Sequence, residues 1–400
     1  MDNPNPNPNP NPNPNPNPNL EIILTRYLYL KDEVEVVLLM SILNKKESAV
    51  FWAYELYYSG FEEELFTYLF QIYYDFYYVL NPGFQQYLIT KYKEWKKYNK
   101  NSENQSQSEN SEKKDIIVSI IIQNLLSRSH NTDIYRLRTQ NETRDTNIPK
   151  SENNFSEVIK LRSCPKGGIT KQFLKMKSEE TKEILVTGDA TIITSFIMSL
   201  NTEMEIMTTL EIAVDYFNSI NDTTTIAVIH LNKVVQQFVK AKDYYVQNIQ
   251  LLAWIIHEFA KIKGLTMGKN IYVSVEPCDI LVYETILKDD INKIKSHHIL
   301  SLACMYSIGE NDYLSLFPGL ERNKISFEEL QKKYWYHWLY YASFSPIWFK
   351  RIEKYKGKIV SEKENVLFLD EDLEEEFYQH FGYEPDEQKR EIQDRNIPLL

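Results

Sequence analysis

Glycine supplies only 11 of the 400 residues, where an average protein carries roughly 7%. A fold built on glycine-rich phosphate loops or on many tight hairpins is therefore poorly provided for. Cysteine is scarcer still. Cys164, Cys278 and Cys304 are an odd number with no CxxC pair, which fits neither a disulfide framework nor a zinc ribbon and points to a reducing compartment. No apolar run approaches the roughly 20 residues that span a bilayer, since the longest candidate, residues 116–126, is broken by Ser119, Gln123 and Asn124. The amino terminus also lacks a basic segment followed by an apolar one, so no secretory signal is read there. The expectation is a soluble intracellular protein with no membrane contact.

Several catalytic signatures are absent as well. There is no P-loop, no GxSxG elbow and no Glu-x-x-His step of a carboxylate-bridged di-metal bundle, although Glu203, Glu205, Glu211 and Asp215 are close in sequence. Gly188-Asp189 lacks the further glycines of a dinucleotide fingerprint. His257-Glu258 begins like a metalloprotease motif, but Lys261 stands where the second imidazole would be. The expected role of His257 is that of a helical histidine beside a packed face. His297, His298 and Cys304 could donate three metal ligands from one helix, yet adjacent residues diverge by about 100° around a helix. Nucleophilic use of a cysteine stays open, because triad partners are distant in sequence. No metal and no cofactor is implied.

Helix signals dominate what is present. Residues 3–19 repeat Asn-Pro eight times and end in Asn19, a disordered spacer in which every second amide lacks its N–H. From 20 to 98 a helical domain is expected. Asp32 with Glu35 reads as a capping box ahead of Val36, Met40 and Leu43, and a second helix over 48–59 stops at Gly60. Glu62, Glu63 and Glu64 open a third helix at its positive dipole end, and Leu65, Leu69, Ile72, Phe76 and Val79 follow at spacings of four and three. A fourth carries Tyr87, Leu88, Tyr92 and Trp95. Loops this short fold such helices into antiparallel hairpins.

Residues 99–114 are Asn, Ser, Gln, Glu and Lys, a linker composition, and 99–182 is read as a polar linker with a loop-rich insertion, in which 115–127 could form one short helix. A second helical domain is expected over 183–360. Thr202 and Glu205 make a capping box before Ile206, Leu210, Ala213, Val214 and Phe217. A long amphipathic helix between about 231 and 263 runs through Ile249, Leu252, Ile256 and Phe259 to Gly264 as its C′ residue. Residues 270–275 read as a short extended stretch. Ser326 and Glu329 form another capping box, with Ile325 and Leu330 as a hydrophobic staple, and that helix is expected to stop at Ser345-Pro346. The fold class is mainly α: two helical domains of antiparallel hairpins, a polar linker or insertion, and disordered termini.

Charge is laid out unevenly. Residues 361–400 hold 13 acidic against four basic residues, a balance of −9 that makes up most of the −11 of the whole chain. This tail is read as a solvated run, or a short terminal helix packed through Leu373, Phe377 and Phe381 at four-residue spacing, in preference to a shield folded back on the basic segment before it. Just before this acidic tail, residues 331–360 hold Lys332, Lys333, Lys350, Arg351, Lys354, Lys356 and Lys358 against Glu353 alone, interleaved with Trp335, Trp348 and other rings. Cations that neutralise phosphates and rings that stack on bases would make this a nucleic-acid surface. The same rings at helical spacing make core and interface packing, with lysine heads reaching solvent, and this second reading is preferred.

Two stretches, AVFWAYELYYSGFEEELFTYLFQIYYDFYYVLNP (49–82) and WLYYASFSPIWFKRI (338–352), resemble segments of uncharacterised helical proteins of nucleocytoplasmic large DNA viruses. The resemblance implies a viral setting, with location in the host cytoplasm or the virion and the nucleus left open. It implies no catalytic residue, cofactor or substrate. The expected function is a non-catalytic helical interaction or scaffold protein with an unknown protein partner. The alternative is a nucleic-acid-associated factor using 331–358 with the acidic tail as shield, and a third is an enzyme with an unrecognised site.

Overall fold

The computed structural model describes residues 23–101, 107–145, 171–220, 244–264, 272–276 and 337–381. The chain is mainly α, with thirteen α-helices and one two-stranded hairpin among the described residues. The Asn-Pro repeat, the three cysteines, His297, His298, the Ser326 capping box and Lys332, Lys333 and Trp335 lie outside them. Among the described residues no helix is long and apolar enough to cross a membrane.

The early helices follow the periodicity closely. Helix α1 (Lys31–Leu43) begins one residue before Asp32, so that carboxylate lies in the first turn, where the dipole favours it, and does not cap. Helix α2 (Ser48–Tyr58) closes in a Schellman motif: Gly60, at φ 96°, donates to the Tyr57 carbonyl and Phe61 to that of Leu56. Helix α3 (Glu62–Ile72) opens on its three glutamates, and Leu65, Leu69 and Ile72 are buried as their spacing requires. It continues into a π-helical turn, Tyr73–Tyr77, all five residues of which are buried. The extra residue in that turn was not expected from the sequence; such insertions re-aim side chains and recur at functional sites. Helix α4 (Phe84–Asn101) buries Leu88 and Trp95.

Where it is described, the polar stretch expected as a linker is helical. Helix α4 runs to Asn101, and α5 (Gln107–Leu126) starts within the Ser, Glu and Lys run and packs on both α4 and α2. Lys114 Nζ donates to Asn99 Oδ1 at 2.9 Å and lies over the rings of Tyr57 and Trp95. Glu, Gln and Lys are good helix formers, and the buried halves of the two helices, Leu88 to Trp95 and Ile117 to Leu125, carry their polar ends with them. Within the stretch read as a loop-rich insertion, α6 (Asp133–Asp145) and α7 (Lys171–Thr187) are also helices. Ile134 of α6 is fully buried, and Tyr135 stacks on Phe76 at 5.1 Å.

Helix α8 (Ala190–Met198) is capped by Asp189, whose carboxylate accepts from the amides of Thr191 and Ile192 at 2.8 and 3.1 Å. Helix α9 (Glu203–Ile220) has its capping box formed in both directions: Glu205 N–H donates to Thr202 Oγ1, and Thr202 N–H to Glu205 Oε2, each at 3.2 Å. Helix α10 (Tyr244–Ile262) ends at Gly264, at φ 73°. Residues 272–276 have no regular structure and are tied to α5, where Asn124 donates to the Val273 carbonyl and accepts from the Val273 amide at 2.8 and 3.0 Å.

Helix α11 (Trp338–Ala342) is followed by α12 (Pro346–Lys354), with Pro346 in its first turn. The proline that stops one helix opens the next, its fixed φ suiting the first helical position. The strands β1 (Gly357–Val360) and β2 (Asn365–Phe368) pair antiparallel, Gly357 opposite Phe368 and Val360 opposite Asn365. Helix α13 (Glu371–Phe381) ends the described chain. The hairpin was not expected from the sequence, whereas α13, which buries Phe377 and Phe381, is the short terminal helix that their four-residue spacing allows.

The described residues from Glu35 to Lys288 form a central unit, and those up to Val34 and from Asp289 onward a terminal unit. Helices from both blocks read from the sequence, 20–98 and 183–360, pack together in the central unit, with α10 against α3 and the π turn. In the terminal unit, residues 23–30 lie against the carboxyl-terminal segment: Leu24 N–H donates to the Phe344 carbonyl at 3.1 Å.

Candidate interaction surface of the carboxyl-terminal segment

Helix α12 is amphipathic. Trp348 and Ile352 are buried, while Phe349, Lys350, Glu353 and Lys354 face solvent. Trp348 is 1% exposed. Its Nε1–H donates to the Arg26 carbonyl at 2.9 Å, and its ring meets Trp338 and Phe381 edge-on at 5.6 and 5.9 Å between centroids. Tyr355 is buried between Phe377 and Phe381 of α13, at 5.6 and 5.9 Å. Burial pushes its phenol above the usual range, and the nearby Glu376 carboxylate adds to the effect.

The acidic helix therefore rests on the basic aromatic one through rings. Phe377 and Phe381 are its buried residues, whereas Glu371, Asp372, Glu375 and Glu376 are exposed. Lys350, Lys354, Lys356 and Lys358 are exposed too, and among the described residues none of the four forms an ion pair. Arg351 spreads its guanidinium over the rings of Trp348 and Phe381, 4.5 and 4.9 Å from their centroids, a cation–π geometry. Lys350 and Lys354, four residues apart, share a helix face. Lys358 pairs across the hairpin with the exposed Leu367, on the face opposite the packed residues Val366 and Phe368.

Of the residues singled out from the sequence, the structure thus brings Lys350, Arg351, Lys354, Lys356 and Lys358 to the surface of one unit. It places Trp348 inside that unit. Residues 337–381 carry six Lys and Arg against nine Asp and Glu, so the local balance is acidic once the ordered tail helix is included.

Elsewhere, His257 is buried and its Nδ1–H donates to the Val79 carbonyl at 2.9 Å, while Glu258 pairs with Lys261 at 2.8 Å. Burial lowers the His257 pKa, with Lys261 adding to the shift and the Val79 bond and Glu258 opposing it. Sequence reasoning missed the buried pair of Asp75, in the π turn, with Arg138 of α6. No local signal could have joined residues so far apart. Among the described residues no group of three or more His, Cys, Asp or Glu is placed to hold a metal ion. No protein-family model, curated protein or solved structure matches this chain.

Proposed function

We propose that this chain is a non-catalytic helical interaction protein, and that the exposed lysines of α12 and the hairpin, with Phe349 beside them, meet an acidic protein partner. One observation carries the reading: among the described residues of the basic aromatic segment only Phe349 leaves its ring exposed, and the large rings are consumed by packing. Trp338, Trp348, Tyr341 and Tyr355 are all buried. Single-stranded nucleic acid is held by rings that lie open to bases along a positive groove, and here these four rings point inward. The setting we propose is a large DNA virus, on the resemblance carried by residues 49–82 and 338–352.

The test is to titrate the full chain with single-stranded RNA and DNA at roughly 50 and 200 mM salt, a range over which several phosphate contacts lose orders of magnitude in affinity. Affinity purification from the native cell with and without nuclease accompanies it. The expected result is negligible nucleic-acid binding and a protein partner that survives nuclease and is lost when Lys350, Lys354, Lys356 and Lys358 are changed to Gln. Steeply salt-dependent binding abolished by the same substitutions would instead establish the nucleic-acid reading.

A further inference from the structure

The amino-terminal half of α6, the start of α8 and the carboxyl end of α10 enclose a cleft of about 360 Å³ in the central unit. Its position follows from local signals already described: Gly188, at φ 62°, ends α7 and Asp189 starts α8, while Gly264 ends α10. Leu137, Ile256, Phe259 and Ala260 make an apolar floor, and Arg136 and Lys263 stand at the rim. A Cβ placed on Gly188 would meet nothing within 4 Å, so that wall is open.

The two rim cations differ from their neighbours. Arg138, two residues further along α6, is locked to Asp75, and Lys261, two residues before Lys263 on α10, is paired with Glu258. Among the described residues the side chains of Arg136 and Lys263 have no hydrogen-bond or ion-pair partner, and both are exposed. The acid at the margin, Asp133, accepts from the Asn131 amide at 3.1 Å and sits in the first turn of α6, where the helix dipole holds it. The rim is left with a net positive charge above an apolar floor.

We infer that this cleft binds a small amphipathic carboxylate, of the size and character of a medium-chain acyl acid, with the chain on the floor and the carboxylate between Arg136 and Lys263. The volume lies at the low end of small-molecule sites, which suits a ligand of that size. An apolar body gains by leaving water, and two cations with no partner among the described residues supply charge-assisted hydrogen bonds to an anion. A neutral ligand of the same shape would use only the floor.

The experiment is calorimetric titration of the full chain with octanoate and, separately, with octanamide. One octanoate per chain is expected, bound about tenfold more tightly than octanamide, because two partly exposed charge contacts are worth about that much together. Arg136→Gln with Lys263→Gln should bring octanoate down to the affinity of octanamide. Leu137→Trp, which fills the cleft from a half-buried position, should abolish both. The control, Lys350→Gln with Lys354→Gln, removes the same charge elsewhere and should change neither; it also separates this inference from the proposed partner surface. Absence of saturable octanoate binding, equal affinity for octanoate and octanamide, or binding that survives Leu137→Trp with helical content intact would overturn it.

Discussion

Removing Arg138 tests the central unit at its most demanding point. Its guanidinium meets the Asp75 carboxylate in a fork, with Nη2 to Oδ2 at 2.6 Å and Nε to Oδ1 at 3.2 Å, and the two side chains are only 5% and 2% exposed. Arg138→Met keeps most of the aliphatic volume and takes the guanidinium away from a carboxylate in a buried site. Breaking a buried pair from one side costs about 3–5 kcal/mol, roughly two to three and a half decades in the opening equilibrium. The double change Asp75→Leu with Arg138→Met removes both charges, and well-packed apolar replacements of buried pairs are neutral or better. Most of the loss should then return. A two-unit chain need not melt in one step, so the proper assay is native-state hydrogen exchange of the α6 amides around Ile134 and Arg138. Loss of less than about 1 kcal/mol in the single variant, a value typical of an exposed pair, would refute the argument, as would a double variant as unstable as the single one.

Three further outcomes are expected. Asn124→Ala removes both bonds to Val273 and the contact to Arg128 at 3.1 Å; it should cost about 1–3 kcal/mol and expose the Val273 amide to exchange, whereas unchanged protection there would show that residues 272–276 are held by something else. Trp348→Ala, which empties a buried site and leaves the Arg26 carbonyl without its donor, should lower stability by about 3–5 kcal/mol and open residues 23–30 to protease; a stable variant would mean that the ring serves the surface and not the core. His257 has a depressed pKa in the folded chain, so as pH falls below about 6.5 the unfolded chain takes up its proton first. Stability is whole above that pH and declines as pH drops towards the folded value, with His130, lowered by burial and by Lys45, contributing in the same direction. His257→Asn, which retains an N–H for Val79, should flatten the fall in denaturation midpoint between roughly pH 6.5 and 5, and an unchanged slope would place the titration elsewhere.

Features that depend on neighbours a few residues apart were legible in the sequence. The buried face of α3, the Thr202–Glu205 capping box and the glycines that end α2 and α10 all rest on contacts within one or two helical turns, and each occurs as its spacing requires. The cations of the candidate surface could be named for the same reason, since lysines adjacent to a short amphipathic helix stay in water. The tertiary structure decided between the two readings that the sequence left for Trp348, in favour of core, and it alone seats the helix after residue 370 on Tyr355 and extends α5 back over 107 to 114. Helix α6 shows why. Thirteen mostly polar residues have little apolar periodicity, and an isolated helix of that length is marginal in water. Its anchor is Arg138 bonding to a carboxylate 63 residues earlier in the chain, and that carboxylate is presented by a π-helical turn. A contact of that kind exists only after both elements have formed and met, so its energy cannot be read from the residues that flank it on either side.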